Sequence, residues 1–193
     1  MKRPVVFFVF LGMVFGGFLF LSVLRSKLYP AVFVNGTMVS ARMLARQTEA
    51  AYRYYLKVIA TYGPSKDQTD EMELKRELER AVLDKLIENV IIREELEERI
   101  ERRELAQLIE GKLDVFKIDD EFQKAVKELY GFSVQEFRER ILNPLASKEL
   151  LEGALVPEED GTFTNWLIEA RKRARVVVVA HVFRWEDGQV QFK

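Results

Sequence analysis

The chain has 193 residues, 48% hydrophobic and 32% charged, with a formal net charge of -1, which excludes a disordered chain and suits one globular domain with an appendage. It contains no Cys and one His, which excludes disulfides, thiol catalysis, Cys-ligated metals and a multi-His metal site within one chain. Residues 1–25 hold three bases and no acid, leaving 27 bases against 31 acids for the rest, and this mildly acidic body argues against nucleic acid as a partner.

Val5–Leu24 is twenty residues without a charge, fifteen of them Val, Leu or Phe. As a helix it would be about 30 Å long, the thickness of a hydrocarbon core. Arg25-Ser-Lys-Leu-Tyr-Pro30 lacks a small-residue cleavage site, so the segment reads as an uncleaved signal anchor rather than a signal peptide. Lys2 and Arg3 precede it, which places the N-terminus in the cytoplasm and residues 26–193 outside it.

Two short apolar runs flank Asn35-Gly36 within residues 31–39, a strong two-residue hairpin signal. Asn35-Gly36-Thr37 also matches a glycosylation sequon, but the turn already accounts for these residues. Ser40 can cap a helix over roughly Ala41–Thr61, with Tyr52, Tyr54, Tyr55 and Tyr62 clustered in and after it. Gly63-Pro64-Ser65 stops this helix.

Thr69 or Asp70 can cap the next and longest helix. Its stretch Glu77–Leu96 carries Leu78, Val82, Leu83, Leu86, Ile87, Val90, Ile91 and Leu96 at three-and-four spacing, a stripe broad enough to need partners on more than one side. The apolar step then changes between Leu96, Ile100 and Leu105, predicting a kink or restart near Glu101. The new stripe, Leu105, Leu108 and Ile109, is expected to end near Gly111. Asp119-Asp120 caps a short helix closed by Gly131, and Ser133-Val-Gln-Glu136 is a capping box. The helix it opens contains Pro144, where a kink is expected. Glu158–Gly161 is a loop whose acids lack calcium-loop spacing. A last helix, Phe163–Arg173, ends in basic residues that suit its dipole. Val176–Trp185 follows as one strand, apolar on both faces at its start and therefore internal to a small sheet, with His181 as a structural residue on it. Asp187-Gly188 turns the chain into Gln189–Phe192.

In this order the pieces resemble the N-terminal chaperone domain of the SurA/PpiD/PrsA group of extracytoplasmic folding factors. The resemblance rests on Val34-Asn-Gly-Thr-Met-Val-Ser40, Val82–Glu95, Tyr130–Ile141 and the returning Phe163–Val179, and spans about residues 31–185. It implies a mainly α fold with a small antiparallel β-sheet, preceded by one transmembrane helix: residues 1–25 as anchor and 26–193 as chaperone domain, with a hairpin at 31–39, helices within 41–174 and strands within 176–192. Ile100–Glu104 lacks the Gly that the family has after its long helix, and Glu95 stands where the family has Ala. Many relatives also carry a parvulin prolyl-isomerase domain. Nothing in these residues supplies its length or its His-containing pattern, so catalysis is not carried over.

The resulting expectation is a non-enzymatic, inner-membrane-anchored holdase that binds unfolded or nascent secreted and membrane polypeptides through an apolar cradle. Translocon or envelope proteins are further partners, the bilayer is engaged through residues 5–24, and neither cofactor, metal nor nucleic acid is expected. The candidate client-binding residues are Tyr52, Tyr55, Tyr62, Phe122, Phe137, Ile141 and Trp166. Tyr, Phe and Met side chains make adaptable apolar contacts. The competing expectation is a scaffold that docks one specific secretion or envelope complex.

Overall fold

A computed structural model describes residues 29–62, 70–155 and 162–193. The segment 5–24 expected to be an anchor, the expected Gly63-Pro64-Ser65 stop, Thr69 and the expected Glu158–Gly161 loop lie outside the described residues. Among the described residues no helix is long and apolar enough to cross a membrane. The architecture is mainly helical with small antiparallel sheets.

Strands β1 (Pro30–Val34) and β2 (Thr37–Ser40) form the first hairpin. Asn35 and Gly36 take φ of 50° and 96°, the left-handed conformation that a two-residue turn of this kind demands. The Asn35 amide also donates to Glu94 Oε2 (2.7 Å), and its Oδ1 accepts from the Arg175 backbone N–H (2.9 Å). Both ends of the side chain are thus engaged in holding the hairpin, which opposes the glycosylation reading. Helix α1 (Ala41–Tyr62) follows directly, its first turn tied by Ser40 Oγ, which accepts from Met43 N–H (3.2 Å).

Helix α2 (Glu71–Arg99) is the axis of the molecule. Asp70, not Thr69, supplies its cap and accepts from Met72 N–H (2.8 Å). Its stripe is covered from different sides along its length. Leu83, Leu86, Ile87 and Ile91 join a core with Val32, Val34, Val39, Leu44, Phe183 and Val190. From the next residue on, Ile92 and Leu96 enter a second core with Leu105, Leu151 and Leu155. The expected break falls at Ile100, which is extended (φ -130°, ψ 134°), and α3 (Arg102–Leu113) restarts after it. Helix α3 ends at Leu113, near Gly111 as expected. Leu113 is buried against Leu142 and Ala146.

Helix α4 (Asp120–Tyr130) is capped by Asp119 and closed by Gly131 at φ 68°. Both halves of the predicted capping box form at α5 (Val134–Phe137). The kink expected at Pro144 lies just upstream, as a π turn over Arg138–Leu142 in which Asn143 N–H donates to Arg138 C=O. Proline has no N–H for an α-helical bond and its ring crowds the carbonyl four residues back. Widening the preceding turn by one residue absorbs both effects before α6 (Asn143–Leu155) continues.

Helix α7 (Phe163–Arg173) is followed by β3 (Val176–Val178), β4 (Phe183–Glu186) and β5 (Gln189–Phe192). Here the structure departs from the single strand expected over Val176–Trp185. Strand β3 pairs with β1 at the edge of a sheet ordered β2-β1-β3, so it is not internal, while β4 and β5 form a separate two-stranded sheet. Between them Val179 and Ala180 N–H both donate to Ala31 C=O (2.8 and 3.2 Å), and a turn through exposed His181 leads to Phe183. The physical reason is one-sided burial. Val176 and Val178 face the core while Val177 is 61% exposed, so a second covered face is missing and the strand ends where Phe183 must enter the core. Asp187 and Gly188, at φ 50° and 75°, make the expected second turn.

Candidate functional site

The apolar stripe of α2 is not covered evenly by its neighbours. Over buried Leu86 and half-buried Val90 lies a groove of about 830 Å³, a size typical of ligand sites. Met38 and Val39 of β2 and Met43 of α1 form one wall. Leu105, Ala106 and Ile109 of α3 form the facing wall, and Asn143, Pro144 and Ser147 close the end. The wall at the π turn is the least satisfied part of the lining: Asn143 Oδ1 and Arg140 Nε are buried without hydrogen-bond partners, each costing roughly 1–3 kcal/mol.

The rim mixes both signs, Arg93, Arg102 and Arg140 with Glu94, Glu97, Glu110 and Glu139. Glu97 pairs with Arg93 (2.8 Å) and Arg102 (3.1 Å), and its hydrogen bond with Arg93, ahead of the charge of Arg102, lowers its pKa below the usual carboxylate value. Glu94 accepts from Asn35 and from Thr37 Oγ1 (2.8 Å). Glu110 pairs with Arg138. No field of one sign results, so the groove suits an uncharged or mixed chain better than a polyanion. Among the described residues no group of three or more metal-ligating side chains comes together, and His181 stands on the β3–β4 turn and is not among the groove-lining residues. The arrangement can hold apolar side chains, with Met38 and Met43 exposed and adaptable.

The seven residues singled out from the sequence lie in separate places, and none is among those lining this groove. Tyr52 sits under the Lys75 ammonium, 4.6 Å from the ring centre, and desolvation and a hydrogen bond with Glu71 raise its pKa. Tyr55 is half-buried on the same helix, and Tyr62 is exposed at its end. Phe122, Phe137 and Ile141 are brought together, against buried Ala50, Val126 and Phe132. Phe122 and Phe137 meet edge to face (5.8 Å), while Tyr130 stacks on Tyr54 (5.2 Å). Trp166 spans the first two cores. Sequence reasoning missed Met38, Met43, Ala106 and Pro144 as groove residues. Leu86, Val90, Leu105 and Ile109 were visible as stripe positions, but their spacing does not encode that Leu86 and Leu105 are buried while Val90 and Ile109 stay partly exposed.

Compared with protein-family models, with curated proteins and with solved structures, the chain matches none of them.

Proposed function

We propose that this protein is a membrane-anchored extracytoplasmic holdase, related to the SurA-type N-terminal chaperone domain, that binds unfolded polypeptide segments in the α1–α2–α3 groove without catalysis. The observation that carries the reading is the groove itself: a trough in which exposed Met38 and Met43 and half-buried Val90 and Ile109 lie over buried Leu86 and Leu105, within a rim of mixed charge. Burying one apolar client side chain yields about 1.5–3 kcal/mol, so two shallow contacts give reversible, low-specificity binding. The aromatic cluster around Phe132 is its own satellite core and serves mainly to fix α4 and α5 against α1.

The test uses the full chain in lipid nanodiscs and an aggregation-prone unfolded client. Near-stoichiometric chain should suppress light scattering. The Ala106→Trp variant, which fills the groove from an exposed position, should lose that suppression while keeping its melting temperature. No suppression at large molar excess would refute the reading. The fixed ion pairs of the rim favour, as a second reading, a scaffold for one specific partner. Crosslinking from a groove position separates the two: many unrelated clients support the holdase, one stoichiometric partner the scaffold.

A further inference from the structure

Where the β2-β1-β3 sheet adjoins the β4–β5 pair, apolar side chains are left uncovered. Val179 and Ala180 N–H donate to Ala31 C=O, Phe183 N–H donates to Ala180 C=O (3.2 Å) and Lys193 N–H to Val182 C=O (3.1 Å), which links the ends of β1 and β3, with Tyr29 and Val179, to Val182 and Phe192. All four are exposed, Val182 at 47%, and Val177 continues the strip along β3 at 61%. Such a patch marks a surface that meets something apolar.

The covalent chain indicates what that is. Only residues 25–28 separate Leu24, the end of the uncharged segment, from Tyr29 at the mouth of β1. Five extended steps span at most about 18 Å. A headgroup layer adds roughly 5–8 Å beyond the hydrocarbon core. Even at full stretch Tyr29 stays within about 13 Å of the headgroups, whereas a soluble partner has no such tether. An exposed Tyr at the join, with Arg25 and Lys27 before it and Lys193 beside Val182, suits the amphipathic, anionic environment of an interface.

We propose that the patch formed by Tyr29, Val179, Val182 and Phe192 seats in the headgroup layer of the bilayer that holds residues 5–24, fixing the orientation of the domain on the membrane. This rests on the anchor reading above. The surface is separate from the groove: none of these four residues lines it.

The chain has no Cys, so single-cysteine variants carry a label without background. The full chain is reconstituted into phosphatidylcholine–phosphatidylglycerol vesicles with an environment-sensitive fluorophore at Val179→Cys, at Val182→Cys, or at Val115→Cys, an exposed position in the α3–α4 connection. The expected result is blue-shifted emission at 179 and 182, quenching there by lipid-borne nitroxide, and several-fold less iodide quenching than at 115. Equal iodide quenching at all three positions, in vesicles that retain the chain on flotation, overturns the docking and leaves the anchor standing. Failure to float overturns both. Protection at 179 and 182 that disappears on diluting the protein in lipid assigns the patch to a second copy and also overturns the proposal.

Discussion

The contact between Arg46 of α1 and Glu136 of α5 should make the attachment of the α4–α5 unit pH-dependent. Arg46 Nε and Nη2 donate to the two carboxylate oxygens of Glu136, each at 3.0 Å, and Nη2 also donates to Gly131 C=O (2.7 Å). The same carboxylate closes the capping box by accepting from Ser133 N–H (3.1 Å). The Arg46 hydrogen bonds, with smaller contributions from Ser133 N–H and Arg140, hold the Glu136 carboxyl at about 2 instead of 4.5. Because the folded-state pKa is depressed, the stabilisation is present above about pH 4.5 and is lost as pH falls toward 2. Linkage sets a ceiling of roughly 3.4 kcal/mol, of which less than half would remain at pH 3. Both side chains are about one-third exposed (34% and 30%), and solvent screening reduces the expected contribution to about 1–2 kcal/mol. The assay is urea denaturation of wild type and Glu136→Gln between pH 7 and pH 3. Gln can still serve the capping box, so the comparison isolates the charge. The variant should be less stable by about 1–2 kcal/mol at pH 7, and the gap should shrink steadily below pH 4.5. A gap of equal size at pH 7 and pH 3 would refute the assignment of the effect to the Glu136 charge.

Three further outcomes follow from the packing. Leu83 is fully buried where α2 meets the sheets, so Leu83→Ala should cost about 2–5 kcal/mol in chemical denaturation, and a cost under 1 kcal/mol would mean the core is not packed as described. Gly131 closes α4 at φ 68°, and a Cβ there would lie 3.0 Å from the Arg53 guanidinium carbon. Gly131→Ala should therefore destabilise by about 1–2 kcal/mol through backbone strain, seen as a lower melting temperature. Arg171 of α7 donates to Asp84, to Glu88 (3.3 Å) and to Gly188 C=O (2.7 Å), and lies over the Trp185 ring. Arg171→Lys, which keeps the charge but loses the fork, should raise amide exchange in β4 and β5 by an order of magnitude or more, an opening made easier by about 1.4 kcal/mol, while leaving α3 and α6 unchanged.

The local elements were legible because their signals act over a few residues. Asn35-Gly36 and Asp187-Gly188 demand positive φ wherever the chain goes. Asp119, Ser133 and Glu136 satisfy helix-end N–H groups within their own turns, and the change of apolar step after Ile100 breaks a helix without help from a distant partner. Errors arose where a distant neighbour decides. Val176–Trp185 has the composition of one buried strand, yet a strand apolar on both faces stays whole only if both faces are covered, and Val177 shows that one is not. Pro144 announced a distortion without stating its form, and the π turn upstream is the form that lets Leu142 stay buried.

By itself, then, the sequence determined the mainly helical class, the two tight turns, the caps, the central helix, and an uncharged segment ahead of the domain, since each depends on local stereochemistry or on periodicity along one element. The tertiary structure alone decided which apolar positions are covered. Spacing on α2 marks Leu83, Leu86, Ile87 and Val90 alike as inward-facing. Leu83, Leu86 and Ile87 are sealed in one core with the sheets and α7, while half-buried Val90 borders a groove whose other wall comes from α3. A groove exists only in the gap between elements, so its lining follows from how far apart those elements settle, a quantity that no single element's pattern contains.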